Sequence, residues 1–145
     1  MIMPMYEFTY PSTVASEDKM LDELATVLQA NGIPKNTRNW FMLAVSEAFT
    51  NALVHGNKRN PRKTIKLVLF INNGLLAADI IDEGQGGLAK IKRRKPPTML
   101  SEGGRGVDLM RHYASAVGFS ETESGGLKVS LRFDQMKENE IERYT

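Results

Sequence analysis

Between Tyr6 and Tyr10 aromatic and polar residues alternate with the period of two expected of a half-buried strand, and Pro11 ends the run. Ser12, Thr13 and Ser16 offer caps for a helix predicted from about Glu17 to Ala30, which Asn31-Gly32 stops. Pro34 opens a second helix predicted to run to His55, with Gly56 expected to supply a left-handed exit. Thr64 to Asn72 is dense in large apolar residues, Asn73-Gly74 is a tight-turn pair, and Leu75 to Asp82 resumes the extended pattern, so a hairpin is predicted. From Glu83 to Gly106 six glycines and two prolines leave room for at most one short turn, and a long loop is expected. Helical spacing returns from Val107 to Val117. Phe119 to Glu123 and Leu127 to Phe133 then predict a closing hairpin around Gly125-Gly126, before a polar tail from Gln135.

The second helix is the informative one. At about 100° per residue, Glu47, Asn51 and His55 fall within roughly 80° of one another and form a polar stripe. Phe41, Met42, Val45, Ala48, Phe49, Ala52 and Leu53 make a wide apolar face opposite, and Trp40, Leu43, Ala44 and Val54 lie near the stripe itself. A helix apolar nearly all round is expected to be buried on both sides, so a carboxylate and a carboxamide in its middle need partners or a ligand to offset desolvation. Hydrogen bonds to neighbouring backbone would meet that need, and taken alone the stripe says no more.

Two glycine-rich loops change the weighting. Ile80-Ile81-Asp82-Glu83-Gly84-Gln85-Gly86 delivers an acid from an apolar strand into a Gly-x-Gly loop, and Gly103-Gly104-Arg105-Gly106-Val107 places glycines at the opening of a helix. Glycines there let backbone amides approach an anion closely, and a helix amino end adds a favourable dipole. Each loop alone is weak evidence, because turns use glycine for conformational reasons as well. Order and spacing carry the inference.

A helix with Glu-x-x-x-Asn-x-x-x-His-Gly, then strand-Asp-x-Gly-x-Gly, then Gly-x-Gly-helix resembles the three boxes of the GHKL ATP-binding superfamily from about Met42 to Phe133. The run Ala44-Val45-Ser46-Glu47-Ala48-Phe49-Thr50-Asn51-Ala52 with His55-Gly56 is most similar to the RsbW-type anti-sigma factors, which are serine-protein kinases. The resemblance implies an α/β two-layer sandwich, a mixed and mostly antiparallel sheet with helices on one face, known as the Bergerat or histidine-kinase-like ATPase fold. It implies ATP and Mg²⁺ as ligands, with Asn51 offering its carboxamide oxygen to the metal and Glu47 acting as the catalytic base toward a serine or threonine hydroxyl. Asp82 would accept a hydrogen bond from the adenine amino group, Gly84 and Gly86 would keep the loop tight beneath the base, and Gly104, Arg105 and Gly106 would cradle the phosphates. His55, at a helix carboxyl end, is read as a structural residue, and His112 is given no role. One departure stands out: the family often starts its last strand with Gly-Thr, whereas this chain reads Gly126-Leu127-Lys128-Val129 and lacks that hydroxyl.

Composition narrows the field further. A chain of 145 residues with 41% apolar side chains fits one core, expected to occupy residues 1–134 with 135–145 as a polar tail. The absence of cysteine removes disulfides, thiolate metal sites and thiol nucleophiles, and suits a cytoplasmic protein. No apolar run is long enough to cross a bilayer, and the first basic side chain is Lys19, so neither a membrane anchor nor a secretory start is expected. The net charge of +2 is concentrated in Lys90, Lys92, Arg93, Arg94 and Lys95, read as an exposed basic loop or as a lid over a polyanion, without direct nucleic-acid binding. The implied partners are a sigma factor and an anti-anti-sigma protein, and a homodimer through the amino-terminal strand and first helix is an expectation by analogy. Two other functions stay open: an ATP-binding scaffold without kinase activity, and a detached histidine-kinase catalytic domain.

Overall fold

A computed structural model describes residues 5–72, 74–93 and 114–134 of the chain. The elements run β1 (Met5–Pro11), α1 (Val14–Ala30), α2 (Lys35–Asn51), a π-helical turn (Ala52–Gly56), β2 (Thr64–Asn72), β3 (Leu75–Ile81), α3 (Gly87–Arg93), β4 (Ala116–Glu121) and β5 (Leu127–Asp134). The strands form one sheet in the order β1-β2-β3-β5-β4, and each of its four pairings is antiparallel.

Strand alternation decides which face is covered. The register aligns Phe8, Leu67, Ile80, Val129 and Phe119 across all five strands, and Tyr6, Leu69, Ala78, Leu131 and Val117 in the next row. Side chains separated by two residues share a face, so these rows build one apolar surface, which α1 and α2 cover to form a single core. Helix α1 contributes Met20, Leu24 and Leu28, and α2 contributes Phe41, Val45, Ala48 and Phe49, all fully buried. Edge-to-face rings lock the layers together, Phe41 against Phe133 at 5.2 Å and Tyr10 against Phe49 at 5.9 Å. The other face carries the surface ion pairs Glu7–Lys66 and Asp79–Lys128. This is the two-layer α/β sandwich with helices on one face that the resemblance implies, and where a mixed, mostly antiparallel sheet was expected every pairing among the described residues is antiparallel.

Several local expectations need correction. Helix α1 starts at Val14, because Thr13 is the cap and its hydroxyl accepts the Ser16 amide. Gly56 does not take a left-handed conformation; that geometry falls on Lys58 and Arg59, with φ of 52° and 57°. The chain leaves α2 through the wider π turn, closed by the Asn57 amide on the Ala52 carbonyl at 2.7 Å. Helix α2 is not buried on both sides, since Trp40 and Leu43 remain exposed. Residues 87–93 form a two-turn helix where a loop with at most one short turn was expected, so Lys90 and Lys92 lie on a helix rather than a loop. Ala116 and Val117 belong to β4 and not to the preceding helix, whose remaining predicted span at 107–113 lies outside the described residues, as do Arg94, Lys95 and the tail from Gln135.

Candidate functional site

The carboxyl end of β3, the exit from α2 and the start of β5 converge on Asp82. Its amide donates to the Leu127 carbonyl at 3.0 Å, and the Leu127 amide returns a bond to Asp82 Oδ1, also at 3.0 Å. The Gly84 amide adds a third bond, to the same Oδ1, at 2.9 Å. With 4% of its surface exposed, this side chain is held by backbone and has little freedom to turn.

Three glycines allow that convergence. A Cβ built on Gly56 would collide with Asp82 Oδ2, one on Gly84 with the Gly56 carbonyl oxygen, and one on Gly126 with the Asp82 carbonyl oxygen. Close backbone approach, rather than a left-handed turn, is what fixes Gly56 and Gly84. Gly86 differs, with open space around it and a φ of +72°, as a tight loop requires.

A cleft opens beside Asp82. Asn51, His55 and Gly56 line it from α2 and its π turn, Gly87, Lys90 and Ile91 from α3, and Phe119, Leu127 and Val129 from the sheet. Its walls are therefore apolar over the sheet and polar toward the helices, a combination suited to a flat heterocycle carrying a charged group. Asn51 and Asp82, read from two separate motifs, share this cleft. Glu47 sits one turn before Asn51, half-buried, and is not among the lining residues. Gly84 packs against the Gly56 backbone, neither Gly84 nor Gly86 lines the cleft, and Gly104, Arg105 and Gly106 lie outside the described residues.

What turns Asn51 toward the cleft is a contact between helices that sequence reasoning missed. Glu17 of α1 accepts hydrogen bonds from Ser46 Oγ at 2.8 Å and Thr50 Oγ1 at 3.2 Å, both on α2. Residues 46 and 50 share one side of that helix, so tying them to α1 sets the rotation of residues 47 and 51, each about 100° further round. No sequence signal distinguishes Glu17 from any acid in a first helical turn. Leu127 was noted for the hydroxyl it lacks; its role as a cleft wall and as the donor to Asp82 depends on register alone.

An α/β sandwich whose cleft brings together an acid fixed at a strand end and a carboxamide from a helix defines the class as a ligand-binding type of α/β domain. The profile of the histidine kinase-like ATPase domain matches residues 10–133, and the chain belongs to that family. Curated relatives include the anti-sigma F factor of Geobacillus sp. strain WCH70, 27% identical over 129 residues that cover 86% of this chain and 78% of that protein. The anti-sigma F factor of Bacillus cytotoxicus is 30% identical over 91 residues, covering 60% of this chain and 62% of that one. Among solved structures, the RsbU and RsbW domains of Rv1364c from Mycobacterium tuberculosis share the fold with a TM-score of 0.67 at 20% identity. That match covers 90% of this chain, which spans about a third of the other, 32%. No described helix is long and apolar enough to cross a membrane.

Proposed function

We propose that this protein is an ATP-dependent anti-sigma factor that phosphorylates a serine or threonine of an anti-anti-sigma partner and, when free of it, sequesters a sigma factor. The observation that carries the proposal is the meeting of Asn51 and Asp82 on one cleft. Relatives named anti-sigma F factor, matching across most of the chain, support the partner class. The protein would act in the cytoplasm, without contacting nucleic acid itself, alone or as a homodimer, with residues 1–134 as its single domain.

The donor set fits an adenine nucleotide. Asp82 can accept from the exocyclic amino group, which guanine does not present at that edge, while Leu127, Val129, Phe119 and Ile91 supply apolar contact for the ring. Lys90 adds positive charge at the rim, and Asn51 offers an oxygen where a phosphate-bound Mg²⁺ would sit. Bound there, Mg²⁺ would neutralise charge developing on the transferred phosphate. Glu47, one turn from Asn51, would take the proton of the attacking hydroxyl, and Gly104, Arg105 and Gly106 would hold the phosphates.

Incubating the protein with labelled ATP and its anti-anti-sigma partner tests this directly. The expected result is acid-stable phosphate on the partner, abolished in Glu47→Ala. A second reading draws on two observations, the absence of Glu47 from the cleft wall and the leucine at position 127: an ATP-gated scaffold that captures its partner without modifying it. Capture without transfer, with Glu47→Ala identical to the parent, would favour the scaffold. Acid-labile phosphate would point instead to a histidine acceptor.

A further inference from the structure

One buried polar side chain lies just outside the cleft and joins three segments that build it. Asn57 follows the π turn and is completely buried, although it belongs to a polar tract otherwise exposed at Lys58, Arg59 and Asn60. Its Nδ2 donates to Ser12 Oγ at 2.7 Å and to the Thr64 carbonyl at 2.9 Å, and its Oδ1 accepts the Glu83 amide at 2.7 Å. Both donors and the acceptor are thus engaged, tying the exit of β1, the entry of β2 and the residue after Asp82 to a single carboxamide. The Glu83 carboxylate folds back onto the same strand entry, accepting from the Thr64 amide at 3.2 Å and hydroxyl at 2.9 Å.

We infer that Asn57 is a positioning residue, fixing the loop that carries Asp82 against the end of α2 that carries Asn51; the inference rests on the ATP-binding function proposed above. The geometry is specific to that task. Along the chain, Asn57 adjoins Gly56, whose backbone packs directly on Asp82 and Gly84. Across the chain, its Oδ1 holds the amide between those same two residues. A shift of Asn57 therefore moves both walls of the cleft together, whereas its bonds to Ser12 and Thr64 anchor it to the sheet. A buried staple with no functional role would need only the anchoring bonds.

The test compares Asn57→Ala with Ser12→Ala, which removes one anchoring partner and leaves the Glu83 bond in place. Three quantities are measured: ATP affinity by calorimetry, phosphotransfer at saturating ATP, and amide hydrogen exchange without nucleotide. Losing one hydrogen bond that orders the loop predicts an ATP Kd about tenfold weaker for Asn57→Ala, with the saturated rate within about twofold of the parent. The Gly84 and Leu127 amides, both donors to Asp82, should exchange faster, and Ser12→Ala should change neither Kd nor those amides. A merely structural role would lower the melting temperature of Asn57→Ala while leaving Kd and the two amides as in the parent, and that result overturns the inference. Where Asn57→Ala fails to fold, Asn57→Asp keeps the oxygen used by Glu83 and loses both donors; parent-like protection of Gly84 and Leu127 supports the assignment, and its loss overturns it. A parent protein that binds no ATP sinks the proposed function, yet the exchange comparison still decides whether Asn57 holds the loop.

Discussion

Substituting Gly56 by alanine sets two effects of opposite sign against each other. Gly56 ends the π turn without a positive φ, so on conformational grounds alone alanine should stabilise the protein by about 0.5–1 kcal/mol. The added methyl, however, would collide with Asp82 Oδ2 and lie 3.0 Å from Asp82 Cβ. The carboxylate cannot swing aside freely, because Oδ1 accepts from Gly84 and Leu127. Releasing those two bonds costs about 1 kcal/mol each, and shifting the backbone instead costs about 1–3 kcal/mol. The clash therefore wins by about 1–2 kcal/mol.

For a domain of this size that net loss lowers the melting temperature by about 3–6 °C. The assay is thermal and urea unfolding in nucleotide-free buffer, so that ligand linkage does not mask the change. A double-mutant cycle with Asp82→Ala isolates the cause: removing the carboxylate should recover most of the loss, giving a coupling of at least about 1 kcal/mol. Gly86→Ala serves as the control, since its cost of about 1 kcal/mol comes from a φ of +72° and should not couple to Asp82. A stabilised Gly56→Ala, or strictly additive cycle energies, would refute the argument that close approach fixes this glycine.

Three further predictions address the cleft and the core. Asp82→Asn can keep an oxygen for the Gly84 and Leu127 amides while placing a donor toward the ligand; ATP affinity measured by calorimetry should fall at least about tenfold with little change in melting temperature, and unaltered affinity would remove Asp82 from base recognition. Leu127→Thr returns a hydroxyl to the cleft wall and should tighten ATP binding by about threefold, at a small cost in stability from lost apolar burial. Tyr10 is 3% exposed, and burial, with the Glu23 carboxylate as a further cause, raises its phenol well above the ordinary 10.0. The unfolded chain then loses this proton before the folded one does, so the Tyr10 contribution is intact below about pH 10 and declines above it by up to about 1.4 kcal/mol per pH unit. Tyr10→Phe should flatten this alkaline decline in urea midpoints, and a parallel decline in both proteins would contradict the assignment.

The sequence made the layers legible because burial writes a simple period into strands and helices. Thr64 to Asn72 matched β2 to the residue, since a run dense in large apolar residues between a basic tract and Asn-Gly admits few alternatives. Asn51 and Asp82, which share the cleft, were legible as candidates because one puts a polar group into an apolar helix and the other ends an apolar strand. Glu17 and Asn57 were not, because what distinguishes them is the partner opposite: Ser46 and Thr50 for one, Ser12 and Glu83 for the other. Gly56 was seen but given the wrong reason, as a glycine admitted for its φ and one admitted for a neighbour's approach look identical in sequence.

The basic run shows the same limit acting on charge. Read along the chain, Lys90 and Lys92 belong to one dense cluster, yet α3 places side chains two residues apart about 200° around the axis. Lys90 lines the cleft and Lys92 does not. Helical geometry thus divides the charge between the cleft and the solvent, and what α3 brings to the cleft is one ammonium beside the apolar Ile91. The acid opposite is fixed by backbone before any ligand arrives, whereas the lysine ammonium sits on a long flexible stem and can follow a charge that moves. Under the proposed function Asp82 would therefore select which base enters, because little ordering entropy is lost when a pre-oriented group binds, and Lys90 would answer the net charge that base carries.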